Sequence, residues 1–394
     1  MTVLFCSDIC WQSLTQRPQH IARRLATRGS VLWIEPITLG HRWSLRPVTA
    51  GPMLHVLSVP QLPMNARARW IRSLARVLSS IGPLRILLER MQTGLVRRAL
   101  RSLGWSVHPS AALLQNFQLI GLVRRLAPGR IVFDYIDDAF GFGSFPPLVE
   151  RQWQETLHCA DRISVTAPRL RLLVEESLPE TAPKIQLVPN AVEFERFSSP
   201  SAAPADLPSG RPSLCYVGSV YPWLDLELLE RIARRYPHVQ LVVIGRLHPE
   251  ISTDVRALEK NPNFLYLGPR PYEEIPAYLH AVDAGMIPFK RTRLTEAVNP
   301  VKLYEYSAAG LPTISTAFSD DLQAFRKEIL IGATHEEFLS LVPVALERRT
   351  QEAFRDTIKT FARRNDWEAR ARDIAGLLTG DAPAGETSTG SRSL

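Results

Sequence analysis

The chemistry in this sequence concentrates in one block, Asn299–Pro312, which reads NPVKLYEYSAAGLP. Pro300 suits the opening of a helix, because its missing N–H would be unpaired in the first turn anyway. Asn299 before it is a candidate N-cap. A helix starting there presents unpaired N–H groups and the positive end of its dipole, the makings of a phosphate site. Lys302 puts a full positive charge in the first turn, where the dipole disfavours it. That placement calls for an anion nearby. Glu305 lies one turn on, on the same face. A buried carboxylate there can accept two hydroxyl hydrogens, as a ribose would offer. The same residues also fit an ordinary amphipathic helix with an i, i+3 ion pair, and the local pattern leaves both readings open.

Two further clusters lie in the first half. FDYIDD (Phe133–Asp138) is an apolar strand ending in paired acids. Carboxylates at the C-terminal end of a parallel strand sit where open α/β sheets bind ligands. Asp137 and Asp138 are therefore candidates for ligand binding, with Asp137 a candidate general base. The alternative is a loop in which Asp138 is an N-cap. His20 and Arg17 stand at the first strand-to-helix turn, on the same edge, and a His there can bind acceptor or phosphate. The third cluster is Arg67–Arg101, where nine Arg face a single acid, Glu89. In its first part Trp70, Leu74, Val77, Leu78 and Ile81 form one helical stripe opposite Arg69, Arg72 and Arg76. In its second part Leu84, Leu88, Met91 and Leu95 line one face, away from Arg90, Arg97 and Arg101. Basic amphipathic helices of this type bind anionic membrane surfaces. They also pack on sheets with the Arg solvated, and both can hold for one helix.

The elements that would position these residues follow a βαβ rhythm. VLFCSD is a strand, RPQHIARRLATRG a helix begun at Pro18 and stopped at Gly29, and SVLWIEP the next strand. AALLQNF, RIVFDYID and DRISVT follow as strands. The stretch around 179–212 is rich in Pro, Ser and Ala and reads as an interdomain linker. A second series then begins: SLCYVGSV, a helix over LDLELLERIARRY, VQLVVIG, NFLYLG, YEEIPAYLHAV, AGMIPF, the NPVKLYEYSAAG helix closed by Gly310, and LPTIST. The fold class is α/β, with two doubly wound parallel sheets in tandem. The tail from about residue 380 is low in complexity and reads as disordered. Neither the P-loop pattern nor GxGxxG occurs.

The chain has 394 residues, 45% of them apolar and 22% charged. It is long enough for two domains. Its net charge is +8, placed unevenly. Residues 1–200 carry 24 Lys and Arg against 14 Asp and Glu, and the remainder carries 23 against 25. That asymmetry points to an anionic partner of the first half. No apolar run reaches the ~18 residues of a membrane span. The N-terminus lacks a signal-peptide pattern, and four cysteines in this length make no disulfide framework. A cytoplasmic, reduced protein is expected. Cys6 and Cys10 have no His or Cys cluster around them, so no metal site is expected.

Four motifs in order resemble the glycosyltransferases of the GT-B fold, enzymes with two Rossmann-like domains that use nucleotide sugars. They are VPNAVEFERF (Val188–Phe197), similar to the interdomain hinge; YVGSV (Tyr216–Val220), similar to the glycine turn of the donor domain; YLGPRPYEEIPAYLHAVDAGMIPF (Tyr266–Phe289), similar to the base-holding segment; and the Asn299–Pro312 helix. The nearest likeness is to retaining-type bacterial enzymes of polysaccharide and glycolipid assembly. The resemblance implies an acceptor-binding domain over 1–195, a linker over 196–212 and a donor domain over 213–360. It implies a last helix over 361–379 that crosses back to the first domain, ahead of the 380–394 tail. Glu305 would correspond to the second Glu of the family's E-x7-E motif and bind the ribose. The backbone at Val298, Asn299, Pro300 and Val301 would face the diphosphate, Arg270 and Pro271 the base, Gly218 and Ser219 the phosphates. Two departures stand out. Position 297, where the first Glu belongs, is Ala, with Glu296 beside it as the candidate replacement. The usual Arg and Lys after the glycine turn are absent, leaving Lys302, Arg246, Lys290 or Arg293 to supply charge.

The expected activity is transfer of a sugar from a UDP- or GDP-linked donor to a hydroxyl of a lipid-linked or saccharide acceptor, with no metal or other cofactor. Lys302 and the helix start would stabilise the leaving diphosphate. The enzyme would sit on the inner face of the cell membrane through Arg67–Arg101. A GT-B nucleotide-sugar epimerase is the alternative, and would call for more acids facing the cleft. A nucleic-acid-binding protein would need aromatics interleaved with the basic run. Between Arg67 and Arg101 the sole aromatic residue is Trp70, on the apolar stripe.

Overall fold

The computed structural model describes residues 1–38, 41–62, 77–78, 81–143 and 145–381. The chain divides into two compact units. One is Met1–Pro189 with the residues from Glu368 onward, and the other is Asn190–Trp367.

The strands of the first unit are β1 (Thr2–Cys6), β2 (Ser30–Pro36), β3 (Val48–Gly51), β4 (Leu54–Val59), β5 (Ala111–Leu114), β6 (Ile131–Tyr135), β7 (Arg162–Val165) and β8 (Ile185–Leu187). They form one sheet in the order β3-β4-β2-β1-β5-β6-β7-β8. All neighbours are parallel except β3, which runs antiparallel to β4. The central strands are near-continuous runs of Val, Ile and Leu because helices cover both faces. Val3 of β1 stands opposite Val31 on one side and Ala111 on the other. The strand order therefore reverses at β1, and the crevice at the carboxyl ends of β1 and β5 is where such sheets bind ligands.

The second unit has six parallel strands: β9 (Ser213–Val217), β10 (Gln240–Ile244), β11 (Phe264–Gly268), β12 (Ala284–Ile287), β13 (Thr313–Thr316) and β14 (Leu330–Gly332). Their order is β11-β10-β9-β12-β13-β14. Here the reversal lies between β9 and β12, paired Cys215 to Gly285. Gly285 is required by packing, since a Cβ there would meet the Tyr306 ring at 2.4 Å. The core joins Leu214, Val242, Met286, Leu303, Tyr304 and Phe338. The chain enters and leaves this unit side by side. Val192 bridges Asp366 in parallel, Trp367 N donates to Val192 O at 3.1 Å, and Phe194 N donates to the Asp366 carboxylate at 3.0 Å.

Several expectations need correction. The 196–212 stretch is not a free linker. A short helix, Phe194–Ser198, opens it, Leu207 packs on the second core, and Asp206 pairs with Arg270. The division between the units falls at Pro189/Asn190 rather than near 195. The last helix is Trp367–Thr379, because residues up to Arg364 finish the preceding helix. Gly29 does not stop the first helix, which ends at Ala26 with Thr27 as its cap. Gly29 instead admits the Met1 carbonyl, 2.4 Å from where a Cβ would stand. Of the basic stretch, Arg67, Arg69, Trp70, Arg72, Leu74 and Arg76 lie outside the described residues, as does the tail beyond Asp381. The helix Gly82–Ser102 buries Gln92, Thr93, Val96, Ala99 and Leu100. That phase differs from the expected stripe, and it leaves Met91 47% exposed.

Candidate functional site

The second unit gathers its chemistry at the carboxyl ends of β9, β10 and β12. Gly218 follows β9 with φ +143°, and a Cβ on it would lie 2.5 Å from the Lys302 side chain. Gly245 follows β10 with φ +151°, and a Cβ on it would lie 1.8 Å from the Gly218 carbonyl oxygen. Only glycine fits either place. Gly218 N donates to Ile244 O at 2.8 Å, so the two turns nest together beneath Lys302. The Lys302 ammonium lies 5.3 Å from the ring centres of both Tyr216 and Phe289. Such contacts stabilise a cation by roughly 0.5–2 kcal/mol each. They hold its position without consuming its hydrogen-bond donors.

The helix carrying Lys302 runs Val301–Ala308. Its cap is Pro300, not Asn299 as its sequence suggests. The Asn299 side chain turns to the start of the unit, where its Oδ1 accepts from Asn190 N at 2.9 Å and from Tyr304 OH at 3.1 Å. Asn190 Nδ2 in turn donates to the Asn299 carbonyl at 2.8 Å. Asn299 thus fixes where the helix begins. The Val301 and Lys302 amides find no acceptor among the described residues. Gly310, at φ +66°, closes the helix, and Leu311 N donates back to Tyr306 O at 2.8 Å.

Glu305 is 9% exposed. Its carboxylate makes no hydrogen bond or ion pair among the described residues. Burial pushes its pKa up to about 7, with Lys302 pulling it down and Glu193 pushing it further up. Burial also lowers the Lys302 pKa, against the attraction of Glu305. The i, i+3 ion pair that the sequence allows is not formed. Glu193 is itself paired with Arg196 at 3.0 Å, and Arg196 lies over the Tyr272 ring. Sequence reasoning missed this rim of Glu193, Arg196 and Tyr272, and the Tyr216–Phe289 seat of Lys302. Its one signal was that Tyr216, next to last in β9, and Phe289, two residues past β12, both stand at the switch point.

The other predicted donor-site residues fare differently. Ser219 lies in the nested turn, its carbonyl accepting from Tyr216 OH at 2.8 Å. Arg246 is exposed, and its carbonyl accepts from Val220 N. Arg270 is tied to Asp206 at 2.6 Å and to Tyr278 OH at 2.8 Å. Pro271 starts the short turn Tyr272–Glu274. Glu296, the candidate replacement for the motif Glu, pairs with Arg291 at 2.7 Å. Arg291 also grips Asp320 through two contacts of 3.0 Å. Val298 is half-buried and Pro300 buried.

In the first unit the structure separates residues that the sequence grouped. Arg17 is 2% exposed. Its guanidinium holds Asp134 of β6 through two contacts, 2.9 and 3.1 Å, and donates to Pro189 O at 2.9 Å. Asp134 also accepts from Ser164 at 2.7 Å and Gln115 at 2.9 Å. Arg17 is therefore a structural brace and not an acceptor ligand. Asp138, 1% exposed, caps the turn Ala139–Phe142 by accepting from Phe140 N at 3.1 Å. Its capping reading is the one realised. His20 is buried on the helix Arg17–Ala26. Asp137 is exposed after β6. The protein crowding around it, with Asp8 next and Asp138 after, pushes its pKa up to about 6, while Arg17 pulls it down. Asp8, after β1, is raised as well, chiefly by desolvation. Sequence reasoning passed over Asp8, although it ends a strand on the same edge.

Among the described residues no group of His, Cys, Asp and Glu is arranged to hold a metal. The second unit can seat an anion over the Lys302 helix start and can accept hydroxyl hydrogens at Glu305. Residues 211–342 match the family Glycosyl transferases group 1. Over 221 residues the chain is 27% identical to TuaH of Bacillus subtilis (strain 168), a protein named for a glycosyltransferase step in teichuronic acid biosynthesis. That match covers 55% of this chain and 56% of TuaH, so it spans about half of the relative. Sucrose-phosphate synthase from Thermosynechococcus elongatus superposes with a TM-score of 0.69 at 15% identity, covering 96% of this chain and 98% of that one. An E. coli trehalose-6-phosphate protein, solved with UDP-2-fluoro glucose, gives 0.70 at 12% identity, covering 97% and 100%. These structural likenesses establish the GT-B fold.

Proposed function

We propose that this chain, whose residues 211–342 match the family Glycosyl transferases group 1, transfers a sugar from a nucleoside diphosphate to an acceptor hydroxyl. The observation that carries this reading is the pair Lys302 and Glu305. One is a half-buried cation on aromatic faces, the other a buried carboxylate, and neither makes a hydrogen bond or ion pair among the described residues. Burying such charges without compensation is costly, and a nucleoside diphosphate would compensate both.

As the glycosidic bond breaks, negative charge develops on the departing diphosphate oxygen. The Lys302 ammonium, the Val301 and Lys302 amides and the Gly218–Ser219 turn would meet it. Ribose hydroxyls would donate to Glu305, which favours its ionised form. Pro271 would border the base. Arg270, held by Asp206, would shape that wall. In the first unit Asp137, poised near pH 6, is the candidate to orient or deprotonate the acceptor, with Asp8 beside it. No step calls for a metal. UDP, GDP and their sugar conjugates should raise the Tm, by about 2.7 kcal/mol of stabilisation at a hundredfold excess over Kd. No shift with any of them at millimolar concentration overturns the reading.

The acceptor side carries a second proposal, a lipid-linked or saccharide acceptor reached at an anionic membrane surface on the cytoplasmic side. The support is the helix Gly82–Ser102, which exposes Ile86, Leu87 and Met91 alongside Arg90, Arg98 and Arg101. No helix among the described residues is long and apolar enough to cross a membrane. Co-sedimentation with anionic liposomes at low salt, lost at high salt, is expected. No co-sedimentation removes this proposal and leaves the transfer reading intact.

A further inference from the structure

The loop leaving β9 carries aromatic side chains at the very place where a diphosphate-handling loop has room for cations. From Gly218 to Asp225 it reads GSVYPWLD, with no Lys or Arg. Tyr221 and Trp223 stack with ring centres 4.7 Å apart and planes 18° apart. The His248 ring lies 4.7 Å from Tyr221. All three side chains are half-buried.

The stack is held from both sides. Val220 bridges Leu247 beyond β10, and Leu224 bridges Phe289 beyond β12. Lys290 N donates to Trp223 O at 2.8 Å. Asp225 then caps the next helix, accepting from Leu228 N at 3.0 Å, and binds His335 at 2.8 Å. These ties give the rings a fixed orientation before any ligand arrives, so stacking on them costs little ordering. Tyr216 OH donates to the carbonyl of Ser219 in the same loop at 2.8 Å, and the Tyr216 ring seats Lys302. The platform is therefore adjacent to the cation assigned to the diphosphate.

We propose that the Tyr221–Trp223 platform receives the sugar ring of the donor and so governs which sugars the site accepts. The inference rests on the nucleotide-sugar reading above. A diphosphate on Lys302 leaves two neutral ends to place. The nucleoside end has Glu305 for its ribose and the β11 side for its base. The sugar end then falls to the uncharged loop between β9 and β12. A pyranose offers one face of C–H bonds, which an aromatic π face attracts, and a loop with no cation does not compete for its hydroxyls.

The test uses the full chain with Trp223→Ala, Trp223→Phe and Tyr221→Leu. Calorimetry measures UDP and GDP against UDP-glucose and GDP-mannose. Trp223→Ala is expected to weaken the sugar conjugates by about tenfold while leaving the bare diphosphate within about twofold of wild type. Trp223→Phe should keep most of the affinity and Tyr221→Leu should lose part of it. Equal weakening of conjugate and diphosphate, or no weakening of either, overturns the proposal while the donor site stands. Should wild type bind neither class, the donor reading itself falls and takes the platform with it. If Trp223→Ala does not fold, the other two variants decide: a Tyr221→Leu protein with unchanged preference for conjugate over diphosphate counts against the platform.

Discussion

The two units treat buried charge in opposite ways. In the first, Arg17 and Asp134 satisfy each other, and Ser164, Gln115 and the Pro189 carbonyl absorb what remains. In the second, Lys302 rests on two rings and Glu305 has no hydrogen-bond or ion-pair partner among the described residues, although they stand one turn apart on one helix. By charge alone the two pairs look alike, each being one cation and one carboxylate. A satisfied pair is scaffold, and breaking it leaves an orphan charge. An unsatisfied pair stores free energy that a ligand releases. This difference is the one on which the proposed donor site rests.

The comparison breaks first at Arg17. Arg17→Ala should cost about 3–5 kcal/mol of stability by orphaning Asp134, read from urea unfolding. A loss below about 1 kcal/mol would deny that the pair is a brace. Lys302→Ala should do the reverse, lowering kcat by about a hundredfold, the worth of roughly 3 kcal/mol in the transition state, with Tm unchanged. A matching fall in Tm would make Lys302 scaffold too. Glu305→Gln sharpens the contrast through pH. The folded-state pKa of Glu305 is raised to about 7 from an ordinary 4.5. The native state therefore keeps a proton that the unfolded chain has already lost, and stability falls as pH rises between those values. Unliganded wild type should lose Tm across pH 4.5 to 7, and Glu305→Gln should lose less. Identical pH profiles would show that Glu305 is not strained. The smallest effects separate the neighbouring acids. Asp138→Ala should cost about 1 kcal/mol as a lost cap with kcat retained. Asp137→Asn should slightly raise stability above pH 6, by removing a carboxylate whose folded-state pKa is raised, and abolish the activity limb near pH 6, where that carboxylate ionises. A limb that survives this change belongs to another group.

Most of the fold was legible because both sheets are built from apolar runs punctuated by Pro and Gly. The edges were not. β3, β4 and β8 are short or carry polar residues, and β8 hides in a Pro-rich stretch whose composition suggests a linker. The helix Val301–Ala308 and its stop at Gly310 were legible, since a glycine stop is a local signal. Asn299 was misread because its true partner, Asn190, is 109 residues away. Arg17 was misread for the same reason, its partner Asp134 being 117 residues distant. Local pattern reports which residues can cap or pair. It does not report which long-range partner reaches them first. The helix Gly82–Ser102 shows a related limit, for its buried face follows the sheet it packs on and includes Gln92 and Thr93 in place of Met91.

The bridge between Val192 and Asp366 has a practical corollary. Residues 190–367 begin and finish at adjacent points, so the module is an insertion whose two ends already meet. Joining them through a few glycines and reopening the chain at an exposed turn should yield a circular permutant that retains its six strands. Grafting in the other direction is equally natural: a different insert of similar end spacing could occupy the same slot between Pro189 and Glu368, which makes this junction a place where new specificities can be spliced without rebuilding the host sheet.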